Sequence, residues 1–216
     1  MTNTLLFDFD GTLVDSEVFH FRCWSEVLQP YGIRFEEQRF CELYSGRPTL
    51  ASAQDVVTQY ALNVCPEELA TSKNARFAQV VKSELPPLMP YAKDVLFAAQ
   101  DAGFRLALVT GSTREEVSPI LEGYGFTELF DTVVCKDDVT NPKPHTEHYL
   151  LALERLGESA GNAVAIEDTY TGSRSAKDAA LTVYAIPNAY TLNQDFAHVD
   201  AVFSDLQHLF AHLSKT

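Results

Sequence analysis

The stretch Thr4-Leu5-Leu6-Phe7-Asp8-Phe9-Asp10-Gly11-Thr12 decides the fold. Its opening is near-continuously apolar, the pattern of a parallel strand buried on both faces. Residues two apart on a strand project to the same side, so Asp8 and Asp10 are expected to converge where the strand ends. Gly11 lets the backbone turn away at that point. Two carboxylates held together repel each other, and such a pair calls for a cation or a shared proton. A lone acid behind a strand commonly caps a helix or a turn. Two acids in D-x-D-G-T directly behind an apolar run point instead to a site.

Working outward, five more short apolar runs follow: 105–110, 132–135, 163–166, 182–186 and 201–203. Helical patterns separate them at 92–102, 114–124, 147–156 and 172–180. Alternating strands and helices imply an α/β sheet with crossover helices. Gly103, Gly125 and Gly157 each stand just past a helical pattern, the favoured place for a C-terminal glycine. One stretch breaks the alternation. Residues 17–28, 35–44, 50–60 and 66–83 all read as helices with no strand between them. Pro66-Glu67-Glu68 resembles a helix start, and Leu85-Pro-Pro-Leu-Met-Pro90 a stiff connector. The expected organisation is a core of residues 1–15 plus 89–216 and a helical insert of 16–88, with crossings near 14–16 and 84–90.

The chain has 216 residues, 46% of them hydrophobic, enough to bury a sizeable core without staples. No apolar run is long enough to span a bilayer, and the start lacks the basic and apolar segments of a secretory signal. The four cysteines (Cys23, Cys41, Cys65, Cys135) show no metal-binding spacing and read as reduced thiols of a cytoplasmic protein. A net charge of −14 argues against nucleic acid or an anionic membrane as partner. Residues 16–88 hold seven Lys/Arg against nine Asp/Glu, so nearly all of that charge lies outside the insert. An acidic chain of this kind needs local cations to bind an anion. Nothing in the sequence demands an oligomer, and a monomer is expected.

Three other strand-like runs end in polar clusters. Thr110-Gly111-Ser112 follows Leu106–Val109: a hydroxyl and backbone N–H groups at a helix start can cradle a phosphate, although Ser112 or Thr113 also suits a plain helix cap. Lys143 stands between prolines in Asn141-Pro-Lys-Pro144, which fix the backbone around one cation. Glu167-Asp168-Thr169 follows Ala163–Ile166 and offers oxygen ligands for a hard cation. Each alone has a bland reading as cap, turn or exposed loop. Together, at one expected sheet edge, they supply a nucleophilic carboxylate, cation ligands and donors for phosphate oxygens, the parts of phosphoryl transfer through an aspartyl-phosphate.

The ordered set D-x-D-G-T, T-G-S, K-P, E-D resembles the haloacid dehalogenase-like superfamily, and the insert resembles its small helical cap. His20-Phe-Arg-Cys-Trp24 is similar to the first cap helix of the branch containing β-phosphoglucomutase and sugar-phosphate phosphatases. The resemblance implies a doubly wound, mostly parallel, Rossmann-like core. It further implies that Asp8 attacks phosphorus, and that Asp10 protonates the leaving oxygen and later activates water. Thr110 and Lys143 would hold the phosphoryl oxygens. Mg²⁺ would be bound by Asp8, the main-chain carbonyl of Asp10, and Asp168, with Glu167 a ligand or the partner of one. His20, Gly46, Arg47, Lys73, Gly111, Ser112 and Arg114 would contact a small phosphorylated metabolite.

Four positions depart from the branch. Tyr91 and Ala180 stand where glycine is usual, and Thr113-Arg114 replaces the Lys-Asn pair expected of a mutase. The loss of that pair favours a Mg²⁺-dependent phosphomonoesterase over a β-phosphoglucomutase-like phosphosugar mutase. A non-enzymatic phospho-acceptor is a third reading, weakened by the large insert and by an acceptor placed on the first strand.

Overall fold

A computed structural model describes residues 2–214. Met1, Lys215 and Thr216, at the outer ends of the expected core segments, lie outside the described residues. In chain order the strands are β1 (Thr4–Phe7), β2 (Arg105–Val109), β3 (Thr132–Val134), β4 (Ala163–Glu167), β5 (Thr182–Ala185) and β6 (Ala201–Val202). The helices are α1 (Glu17–Leu28), α2 (Glu37–Tyr44), α3 (Thr49–Gln59), α4 (Pro66–Val81), α5 (Ala92–Asp101), α6 (Arg114–Tyr124), α7 (Glu147–Leu156), α8 (Tyr170–Asp178) and α9 (Leu206–Leu213).

All strand pairs are parallel, in the order β3-β2-β1-β4-β5-β6. The chain winds outward from β1 to β3, then returns to the other side of β1 through β4. That reversal opens a crevice beyond the carboxyl ends of β1 and β4, where ligands bind in open α/β sheets. Strand alternation divides the core. Leu5, Phe7, Leu106, Leu108, Val164 and Ile166 face one helical layer, with α5 and α9. Leu6, Ala107, Val109, Ala165 and Val183 face the other, with α7 and α8.

Helices α1 to α4 enclose a third cluster of their own, including Trp24, Leu28, Phe40, Tyr44, Val56 and Leu69. Phe19, Cys23, Phe77, Val80 and Val81 from the same helices join the core cluster instead. The two connecting segments run side by side: Asp15 N–H donates to the Pro87 carbonyl at 2.8 Å, and Met89 N–H to the Leu13 carbonyl at 2.9 Å. All four cysteines are free thiols. Among the described residues, no helix is long and apolar enough to cross a membrane.

Element ends differ from the apolar runs for local reasons. β1 stops at Phe7 because the Phe9 carbonyl accepts from the Thr12, Leu13 and Val14 N–H groups, forming a tight turn. α8 begins at Tyr170 rather than Gly172 because the Thr169 hydroxyl caps it, accepting from Gly172 N–H at 3.1 Å. The two departures from glycine carry strain: Tyr91 at φ 65° starts α5, and Ala180 at φ 62° follows α8. Left-handed backbone costs a side-chain-bearing residue about 1–2 kcal/mol, part of which glycine returns as unfolded-state entropy. Ala180→Gly, at an exposed position, is therefore expected to stabilise the protein by about 0.5–1 kcal/mol. Thermal melting checks this; an unchanged or lower melting temperature contradicts the strain.

Candidate active site

Four segments meet at the crevice. Asp8 follows β1, Thr110 follows β2, and Glu167 ends β4 with Asp168 behind it. The register pairs Phe7 with Leu108 and with Ile166, which brings Asp8 level with Val109 and Glu167. The Lys143 ammonium donates to Glu167 Oε1 at 2.6 Å, Asp8 Oδ1 at 2.7 Å and the Val109 carbonyl at 2.9 Å. These partners use all its donors. Burial works against the Lys143 charge, but Asp8 and Glu167 overcome it and hold its proton affinity above the ordinary lysine value.

One ammonium does not neutralise three carboxylates. Oxygens of Asp8, Glu167 and Asp168 lie within 4.8 Å of one another, all buried. Burial, and then the Glu167 charge, push Asp8 up to about 8 against the pull of Lys143. Burial and the charges of Asp8 and Glu167 likewise push Asp168 well up. A compact, oxygen-only donor set with unbalanced negative charge fits a hard divalent cation such as Mg²⁺. Neighbours fix the ligand geometry. Asn188 Nδ2 donates to Asp168 Oδ2 at 2.8 Å, and the Tyr149 hydroxyl to Glu167 Oε1 at 2.6 Å. A Cβ at Gly11 would collide with the Asp168 carboxylate, and one at Gly172 with that of Glu167.

Asp10 points away from this trio. Ser16 Oγ donates to its Oδ1 at 2.6 Å and Ser112 Oγ to its Oδ2 at 2.7 Å, while His20 Nε2 lies 3.4 Å from Oδ1. Burial raises its proton affinity, but these three partners outweigh burial and hold the carboxyl below the usual range. His20 is itself stacked on Phe77, centroids 4.1 Å apart.

A cleft of about 140 Å³ lies over these groups. Asp8, Asp10, Lys143, Gly111 and Ser112 line it from the α/β side; Glu17, His20, Gly46, Arg47 and Lys73 line it from the helical side. The Arg47 guanidinium is tethered to Asp55 at 2.7 Å. Gly46 has φ 72°, and a Cβ there would strike the Thr169 side chain across the cleft. Thr110 is fully buried beneath the lining, its Oγ1 accepting from Ser112 N–H at 3.0 Å.

Arg114 corrects an expectation: it does not line the cleft. At the first turn of α6, its backbone N–H donates to Asp137 at 2.7 Å and its guanidinium to Asp138 at 2.7 Å and the Val133 carbonyl at 3.2 Å. Acids following β3 hold it on the outside. Sequence reasoning also missed Ser16, Glu17, Tyr149 and Asn188. Asn188 was within reach of the strand-end argument, since it follows β5. Tyr149, inside an apolar helix face, gave no such signal.

Two outcomes follow from this geometry. Asp8 has a folded value above its ordinary one, so the stability it contributes is present at low pH and lost as pH rises toward 8. In chelator-treated protein, Asp8→Asn should flatten this fall and stabilise the fold at pH 8 by about 2 kcal/mol. Melting curves across pH 5–8 would show it; a parallel decline in both proteins contradicts it. Gly46→Ala should lower kcat/KM by about 10–100-fold through the clash with Thr169, and Thr169→Ala should restore part of it. Absence of any rescue sinks the contact argument.

Comparisons with known proteins agree with this arrangement. Residues 5–186 match the family model described as haloacid dehalogenase-like hydrolase. Fructose-1-phosphate phosphatase YqaB of Escherichia coli is 32% identical over 82% of this chain and 92% of its own. The phosphorylated carbohydrates phosphatase of Thermotoga maritima is 28% identical over 91% and 90%. The structure of CbbY from Rhodobacter sphaeroides, in complex with xylulose-1,5-bisphosphate, superposes with TM-score 0.82 at 27% identity, covering 97% of this chain and 96% of that one. The chain belongs to the haloacid dehalogenase-like hydrolases, with an α/β core and a helical insert.

Proposed function

We propose that the chain is a Mg²⁺-dependent phosphatase of a small sugar phosphate, acting through an aspartyl-phosphate on Asp8. The observation that carries this reading is the Asp8 carboxylate at the floor of the cleft, tethered by Lys143 through one oxygen. The relatives named for fructose 1-phosphate and for phosphorylated carbohydrates support the substrate class. We further propose that residues 16–88 act as a cap on a core of 1–15 and 89–216, hinged at the paired connecting segments.

Asp8, Glu167, Asp168 and the Asp10 main-chain carbonyl would hold the cation, which when bound offsets the charge of Asp8 and of the phosphoryl oxygens. An Asp8 oxygen forms a bond to phosphorus as the bond to the leaving oxygen breaks. The leaving oxygen keeps the electron pair and takes a proton from Asp10. Asp10 is ionised in the free site, but an anionic phosphoryl group beside it raises its affinity for that proton. The positive charge of Lys143 and the Gly111–Ser112 backbone N–H groups stabilise the phosphoryl oxygens. In the second half, Asp10 takes a proton from water, water oxygen bonds to phosphorus, and the bond to Asp8 breaks. The cap walls, including His20 and Lys73, exclude bulk water meanwhile.

The Lys-Asn pair expected of a mutase is absent, and Arg114 is bound outside the cleft by Asp138. Of the cations that line the cleft, Arg47 is tethered to Asp55 and Lys73 is paired with Glu116. We therefore favour water as the acceptor.

With Mg²⁺, the protein should release phosphate from hexose or pentose monophosphates. Asp8→Asn should reduce kcat by about 10³-fold or more, as loss of a nucleophile does. Mg²⁺ should raise the melting temperature of the wild type more than that of the variant. Metal-independent turnover, or full activity in Asp8→Asn, contradicts the reading. Turnover only with a sugar bisphosphate primer would move it to a mutase.

A further inference from the structure

Glu116 takes no part in the chemistry derived so far. It occupies the first turn of α6, is 3% exposed, and lines the cleft. Its two oxygens have different surroundings. Oε2 accepts from Thr113 N–H at 2.7 Å and from the Thr113 hydroxyl at 2.9 Å, a capping box that fixes the side chain. Oε1 is buried and has no hydrogen-bond partner. Across from it stands Lys73 of the cap, 2% exposed, with Nζ 3.8 Å from Oε1. That separation is an ion pair but too long for a hydrogen bond. The other close neighbours of the ammonium are Asn74 Oδ1 at 3.5 Å and the Phe77 ring at 4.9 Å.

An acceptor without a donor and a donor without a close acceptor, facing each other across a ligand cleft, define a chemical demand. A hydroxyl meets it: its oxygen accepts from Lys73 and its proton goes to Glu116. A carboxylate or a second phosphate only accepts, so it would leave Oε1 unpaired and add repulsion. Burial makes that mismatch costly. The position relative to the chemistry is also set. Ser112, four residues before Glu116, hydrogen-bonds Asp10, the proposed donor to the leaving oxygen. The charges of Glu116 and of Asp10 both act on the Lys73 ammonium, which places the Glu116–Lys73 pair on the Asp10 side of the cleft, beside the proposed donor to the leaving oxygen.

We propose that Glu116, held by its capping box and paired with Lys73, is a specificity residue that selects a neutral polyhydroxy leaving group over one bearing a carboxylate or a second phosphate. This deepens the phosphatase reading and rests on it.

Glu116→Gln is the informative variant. Glutamine can keep the capping box while presenting an N–H donor to Lys73 in place of the acceptor. Steady-state kcat/KM is measured for the preferred sugar phosphate, its deoxy analogues, phosphoglycolate and p-nitrophenyl phosphate, with melting curves as the fold control. The sugar-phosphate to aryl-phosphate ratio should fall about 10–100-fold, the size of one lost charged hydrogen bond. Preference over phosphoglycolate should narrow by about the same factor. One deoxy analogue should cost the wild type about 10-fold or more and the variant far less, the coupling signature of a direct contact. Equal loss on every substrate, or no deoxy analogue coupled to Glu116, overturns the proposal. So does a wild type that hydrolyses phosphoglycolate as well as any sugar phosphate, with no variant needed. A wild type silent on all these substrates overturns the phosphatase reading itself, and this inference with it.

Discussion

Three carboxylates share the strand ends with a single ammonium, and much of the surrounding structure answers to that imbalance. Asp8 and Glu167 are brought side by side by the parallel register of β1 and β4, so their mutual repulsion is built into the sheet. Lys143 relieves part of it from below, with each of its donors engaged. What remains is a buried negative pocket whose neutralisation requires either protons or a cation. The small residues nearby are a steric consequence. Gly11 and Gly172 have no Cβ because the Asp168 and Glu167 carboxylates occupy that space. Asn188 and Tyr149 then fix the carboxylate oxygens in place. Such ordering lowers the reorganisation needed when charge develops on a transferring group.

The second carboxylate of the opening motif is treated in the opposite way. Asp10, two residues from Asp8, is hydrogen-bonded by hydroxyls and lies against a histidine. Two aspartates on one strand end therefore differ strongly in proton affinity, Asp8 raised and Asp10 lowered. In the free site this is the reverse of what the proposed roles need: a bound cation would return Asp8 to the ionised form of a nucleophile, and an anionic phosphoryl group would raise the proton affinity of Asp10. Two of these three Asp10 partners, Ser16 and His20, come from the start of the helical insert. The proton chemistry is thus coupled to how the insert sits on the core.

Much of this was legible in the sequence, for a physical reason. Parallel strands buried on both faces write long apolar runs, and whatever polar residue ends such a run sits at the ligand edge. That logic reached Asp8, Asp10, Thr110 and Glu167-Asp168 directly, and would have reached Asn188 had it been applied to β5. It failed where contact depends on side-chain direction around a helix. Arg114 reads as a cleft cation beside Ser112, yet Asp137 and Asp138 from the loop after β3 hold it outside, a pairing 23 and 24 residues away in sequence. Tyr149 and Glu116 were invisible for the same reason: one looks like core and the other like an ordinary capping acid. Strain was legible too, since Tyr91 and Ala180 occupy left-handed backbone at the two positions where glycine was the expectation.

The central claim is that Asp8 itself carries the phosphoryl group between the two half-reactions. Acid quench during turnover of a sugar phosphate with Mg²⁺, followed by borohydride reduction and peptide mass spectrometry, tests it directly. An acyl-phosphate on Asp8 is reduced to the alcohol, so the account predicts homoserine at position 8 and at no other acid, only when substrate was present. Continued turnover with Asp8 unmodified, or reduction at a different carboxylate, would contradict it.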